Sequence, residues 1–110
     1  MAIVVINELP DVVTDEMYDA VSAKIGQEPP DGGIVHTGGR DDSGTMRVVE
    51  VWESREALER FENERLRPAI AEVMRANGMD PEQAPRPEQT VYEAREVMSR
   101  EAMVGAPTSA

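Results

Sequence analysis

The apolar residues of this chain fall into short runs that alternate between strand and helix periodicity. Ile3-Val4-Val5-Ile6 is a β-branched run closed by Pro10, which predicts a strand over Ile3–Glu8. Alternation puts Ile3, Val5 and Asn7 on one face and Val4 and Ile6 on the other, so both faces of a central strand need cover. Met17, Tyr18, Val21 and Ile25 then recur at helical spacing. Thr14 stands where a helix needs a side-chain acceptor, Asp15 and Glu16 fill its first turn, and Gly26 suits its end. Pro29-Pro30-Asp31-Gly32-Gly33 breaks the chain before a second strand, Ile34 to Gly39.

The turn Arg40-Asp41-Asp42-Ser43-Gly44 leads into a third strand, Met46 to Trp52, and its geometry decides which side chains share a face. A three-residue loop, Asp42-Ser43-Gly44, with Gly44 left-handed, pairs Asp41 with Thr45. Counting inward then sets His36 opposite Glu50 and Val35 opposite Val51. Val35, Thr37, Val49 and Val51 share one face; Ile34, His36, Val48, Glu50 and Trp52 share the other. A two-residue loop would separate His36 from Glu50, and it sorts polar from apolar less well.

Ser54 opens a long amphipathic helix with Ala57, Leu58 and Phe61 on its stripe, continued by Leu66, Ala69, Ile70, Val73 and Met74. The step from Phe61 to Leu66 breaks the spacing, and Pro68 should kink or restart the helix there. Asn77-Gly78 ends it, a proline-rich loop follows, and Thr90 to Val97 alternates as a fourth strand. Residues 1–98 are expected to form one domain, and residues 99–110 a small, polar tail that frays.

Strand-helix-strand-strand-helix-strand is the ferredoxin-like α+β order, βαββαβ: a four-stranded antiparallel sheet with two helices on one face. The uncovered face is expected to carry Ile3, Val5, Val48 and Trp52 beside His36, Glu50 and Asn7. A second copy of the chain packed sheet to sheet would cover it and enclose a mixed cavity.

At 110 residues the chain has room for one core. Its formal net charge of -11 argues against nucleic acid and against an anionic membrane surface. Without cysteine it has neither disulfides nor a thiolate site. The first apolar run lacks a basic leader and is too short for a signal peptide, and no segment is long enough to span a bilayer. A cytoplasmic protein is the default. Zinc-ligand spacing, a phosphate-binding glycine loop and a nucleophile elbow are all missing from the sequence.

The chemistry-bearing candidates are few. His36 is the only histidine. Beside Glu50 it reads either as a base held in one tautomer by a carboxylate or as a plain cross-strand polar pair. Trp52 is either a flat wall and N–H donor for an aromatic ligand or a large core residue. Arg47 and Arg95 are candidate anchors for an anionic ligand, and Tyr92 is a candidate ligand contact. Tyr18 reads as a core or rim residue.

Val49-Glu50-Val51-Trp52-Glu53-Ser54-Arg55-Glu56-Ala57, followed by Phe61, Leu66 and Pro68, resembles the strand–helix signature of the antibiotic biosynthesis monooxygenase family. The resemblance covers residues 2 to 97 and implies a homodimeric α+β barrel. It also implies that Asn7, on the first strand, supplies an amide that polarises a carbonyl or bound oxygen. The haem-degrading branch keeps a tryptophan where this chain has Phe61 and an iron-ligating histidine where it has Ala71, so no haem and no other cofactor is expected. Two functions follow. One is a cofactor-independent monooxygenase, isomerase or cyclase acting on a small aromatic or polyketide-like compound, with His36, Glu50 and Asn7 as base, orienter and polariser. The other is a non-enzymatic binding or accessory barrel with a filled interior. A cavity of a few hundred Å³ beside His36, reaching solvent, separates them.

Overall fold

A computed structural model of the chain describes residues 1–26 and 28–98. Strand β1 (Ile3–Glu8) lies inside the sheet, as its two apolar faces require. It pairs antiparallel with β3 (Met46–Trp52) on one side and β4 (Glu88–Glu93) on the other; β2 (Gly33–Arg40) forms the far edge, giving the order β2-β3-β1-β4. Helix α1 (Asp15–Ile25) follows β1, and α2 (Arg55–Phe61) follows β3. This is the expected ferredoxin-like α+β topology.

Both helices start where the sequence places an acceptor. The Thr14 hydroxyl accepts from the Met17 N–H and the Ser54 hydroxyl from the Ala57 N–H, each at 3.1 Å. Gly26, at φ +89°, closes α1 with its N–H on the Ser22 carbonyl. The break in spacing after Phe61 is carried by a π-helical turn, Glu62–Leu66, before α3 (Arg67–Ala76). Five residues overshoot one α turn but fill one π turn, whose i→i+5 bond runs here from the Arg67 N–H to the Glu62 carbonyl. The wider turn lets Phe61 and Leu66 join the same core. Pro68 then sits in the first turn of α3, where a missing N–H costs little.

Strand β4 is Glu88–Glu93 rather than Thr90–Val97. Its partner sets the limit: Glu93 faces Ile3, where β1 begins, and only the Ala94 N–H, bonded to the Ala2 carbonyl, extends the ladder. The predicted tail, 99–110, lies outside the described residues. Among the described residues no helix is long and apolar enough to cross a membrane.

The larger correction concerns the faces of the sheet. Ile3, Val5 and Trp52 are buried against Ala57, Leu58 and Phe61 of α2, and Val48 and Glu50 are buried beside them. The helices therefore cover the face that was expected to await a second copy. The face left open carries Val4, Ile6, Val49 and Val51, each partly exposed, with Val35 39% and Tyr92 50% exposed at its flanks. Both faces are apolar, so period-two alternation sorts side chains into two sets without saying which set the helices take. Met17, Val73 and Met74 form a second buried cluster between α1 and α3.

Substitution at neighbouring β3 positions separates the two faces. Val48→Asp puts an unpaired charge under the helices and should cost on the order of 3–5 kcal/mol in denaturant unfolding. Val49→Asp, on the open face, should leave the protomer folded. Equal loss in both variants would contradict the assignment.

Candidate functional site

The site begins at the β2–β3 turn. Gly44, at φ +87°, takes the left-handed position, and its N–H reaches the Asp41 carbonyl at 2.9 Å. The Asp41 carboxylate accepts from the Ser43 hydroxyl at 2.6 Å and from the N–H groups of Ser43 and Thr45. Its second oxygen takes the Arg47 guanidinium at 2.7 Å. The Ser43 hydroxyl first, then Arg47 and the backbone, hold this carboxyl well below the usual carboxylate range. Asp41 bonds Thr45 as expected, and every pair inward follows: His36 faces Glu50 and Thr37 faces Val49.

Glu50 is only 4% exposed, the one buried charged side chain among the described residues. His36 Nδ1 lies 2.9 Å from Glu50 Oε2. An ionised carboxylate only accepts, so a neutral imidazole paired with it keeps its proton on Nδ1 and leaves the Nε2 lone pair free. The imidazole is about half exposed and lines a cavity of about 360 Å³ that opens between α1, β2 and the π turn. Trp52, Phe61, Ile25, Ile34 and Leu66 supply its apolar walls, and Pro29 and Pro30 part of its rim. The Trp52 and Phe61 rings meet at 5.1 Å and 39°. Trp52 is buried, its indole N–H included, and that N–H has no hydrogen-bond partner among the described residues. Ile34 enters the lining through a bulge in β2 between Gly33 and Val35.

Tyr18, read from the sequence as core or rim, also lines the cavity, with its hydroxyl 3.5 Å from His36 Nε2. Burial, then the Glu50 charge, push the phenol above its ordinary value; Asp19 adds to this and the Ser22 hydroxyl opposes it. The available signal was Gly38: a Cβ there would fall 1.9 Å from the Tyr18 hydroxyl.

The other predicted residues lie elsewhere. Asn7 shares the helix-covered face but stands one row down, opposite Val48, and its amide oxygen accepts from Gln89 at 3.1 Å. It does not line the cavity. Arg47 projects on the open face, where Glu8 and Asp41 hold it. Tyr92 is on that face too, opposite Val4. Arg95 is exposed beyond the end of β4. One-residue alternation separates Arg47 and Tyr92 from His36 and Trp52. Among the described residues no cluster of three or more His, Asp or Glu is arranged to hold a metal.

At the start of the π turn, burial raises the Glu62 carboxyl, Arg67 opposes the shift, and the charges of Glu50 and Glu59 add to it. A raised folded-state pKa gives stability that is present below the unfolded value and lost as pH rises through the folded one. Glu62→Gln should therefore raise the melting temperature at pH about 7, and the gain should vanish below the ordinary glutamate value of about 4.3. A gain that persists in acid would point to packing instead of charge.

No family model and no curated protein matches this chain. Solved structures do. A candidate antibiotic biosynthesis monooxygenase from Caulobacter crescentus superposes with a TM-score of 0.62 at 22% identity, over 86% of this chain and 91% of that one. SnoaB, a cofactor-independent oxygenase from Streptomyces nogalater, gives 0.60 at 16% identity, over 88% and 96%. Rv0793 from Mycobacterium tuberculosis gives 0.60 at 20% identity, over 90% and 100%. Identities this low speak for the fold, and the likeness runs over nearly the whole of each chain. The chain has the ferredoxin-like α+β fold of the antibiotic biosynthesis monooxygenases.

Proposed function

We propose that this protein is a cofactor-independent monooxygenase acting on a small electron-rich aromatic compound, and that its site is the cleft between sheet and helices within each protomer. One observation carries the reading. His36, oriented by a buried carboxylate at 2.9 Å, stands in the wall of an apolar cavity of about 360 Å³ lined by Trp52 and Phe61. SnoaB, described as a cofactor-independent oxygenase, shares the fold. An open cavity of this size speaks against a barrel with a filled interior.

The chemistry needs little from the protein because the substrate supplies the electrons. His36 Nε2 removes a proton from an acidic ring CH2, as in an anthrone, while Glu50 stabilises the imidazolium through Nδ1–H. The carbanion gives one electron to dioxygen, and the radical pair joins as a C–O bond. The peroxide recovers its proton from His36. Loss of water, with the second C–H, leaves a carbonyl, so CH2 and O2 become C=O and H2O. Trp52 offers part of the apolar wall on which an aromatic ring packs. Asn7, turned toward Gln89 and away from the cavity, takes no part in this scheme. No haem is required, and Phe61 and Ala71 supply neither of the haem-degrading residues.

A second copy would pack on the open face through Val4, Ile6, Val49 and Val51, leaving both clefts free. A cytoplasmic homodimer without nucleic-acid or membrane partners fits the acidic surface. Sedimentation equilibrium should give a dimer for the wild type and a monomer for Val49→Asp. A wild-type monomer at micromolar concentration would refute the dimer.

Oxygen uptake with anthrones, quinols and phenols tests the activity. A turned-over substrate should lose about 10²–10⁴ in rate with His36→Ala, the usual contribution of a general base. Binding without uptake would favour the non-enzymatic binding protein.

A further inference from the structure

We propose that Tyr18 is a second substrate-contacting residue of this cleft, a neutral donor set beside the His36 base, and that together they select aromatic compounds with oxygens on adjacent ring carbons, such as catechols. The inference rests on the cleft being the ligand site.

Position is the first argument. Tyr18 comes from α1 and His36 from β2, so the two polar groups approach from different walls of one apolar cavity. Their separation, 3.5 Å from hydroxyl to Nε2, is longer than the ordinary hydrogen bond of about 2.7–3.0 Å. The hydroxyl is thus held only loosely by the imidazole, with the Ser22 side chain as its other neighbour, and a ligand can draw both atoms to itself.

Gly38 is the second. It follows His36 by two residues on the same face of β2, and a side chain there would collide with the Tyr18 hydroxyl at 1.9 Å and with Cζ at 2.6 Å. Gly38 has no positive φ, so its backbone does not demand glycine. The missing side chain makes the seat in which the tyrosine rests. Burial and the nearby Glu50 charge also keep the phenol protonated, hence a donor, across neutral pH.

A catechol matches this pair. One hydroxyl gives its proton to His36 Nε2, and the Tyr18 O–H donates to the adjacent oxygen, stabilising the monoanion. A monohydric phenol engages only one of the two groups.

Calorimetric titration of catechol and phenol into wild type, Tyr18→Phe and Gly38→Ala tests this. The wild type should prefer catechol. Tyr18→Phe should weaken catechol by about 3- to 10-fold, the value of one neutral hydrogen bond, and leave phenol within about twofold. Gly38→Ala, which displaces the same hydroxyl without deleting it, should do likewise. Preference surviving in Tyr18→Phe, equal weakening of both ligands, or no wild-type preference would each overturn the proposal while leaving the cleft as the ligand site. A wild type that binds neither catechol nor phenol, and takes up no oxygen with any substrate tried, would overturn both readings.

Discussion

Glu50 carries a charge to 4% exposure beneath a layer of helices, and the rest of the site depends on how that charge is satisfied. An isolated buried carboxylate is costly unless hydrogen-bonded. Here the partner is the half-exposed ring of His36 at 2.9 Å, on an edge strand where one side of the imidazole faces protein and the other faces the cavity. The pairing exists only in one hairpin register, since a one-residue slip sends His36 to the opposite face. The turn that holds this register, Asp41 with Ser43, Thr45 and Arg47, lies at the far end of the same hairpin. An exposed turn thus brings a buried carboxylate its partner.

Much of this was legible in the sequence because it follows from local rules. The caps at Thr14 and Ser54, the left-handed Gly44 and the His36–Glu50 register each depend on a few neighbouring residues. The assignment of faces does not. Ile3, Val5 and Val48 look no more apolar than Val4, Ile6 and Val49, and only the packing of Phe61 and Leu66 decides between them. That packing needs a π turn, which the five-residue step announced as an irregularity without saying how the chain absorbs it. Tyr18 escaped notice because its place in the cavity wall depends on the space left by Gly38, a contact across twenty positions of sequence. Asn7 lies on the expected face but one row along the strand from the cavity lining, a distance that alternation alone does not report.

The two apolar faces divide the work. The helix-covered one forms the core and, at its β2 edge, the cleft. The open one carries Arg47 and Tyr92, which the sheet's alternation sets apart from the cleft. A fold shared at 16–22% identity with monooxygenase-type proteins leaves the chemistry to be argued from the side chains lining the cleft.

In the proposed mechanism Glu50 fixes His36 with its proton on Nδ1 and its lone pair on Nε2, facing the cavity. Because the chain has a single histidine, long-range proton–nitrogen NMR spectra report on this ring without an assignment problem. As imidazolium is titrated to imidazole, the proton that remains should be on Nδ1 in the wild type, and Glu50→Gln should weaken that preference. A wild-type ring whose remaining proton sits on Nε2 would contradict the account, because the atom facing the substrate would then be a donor and no base.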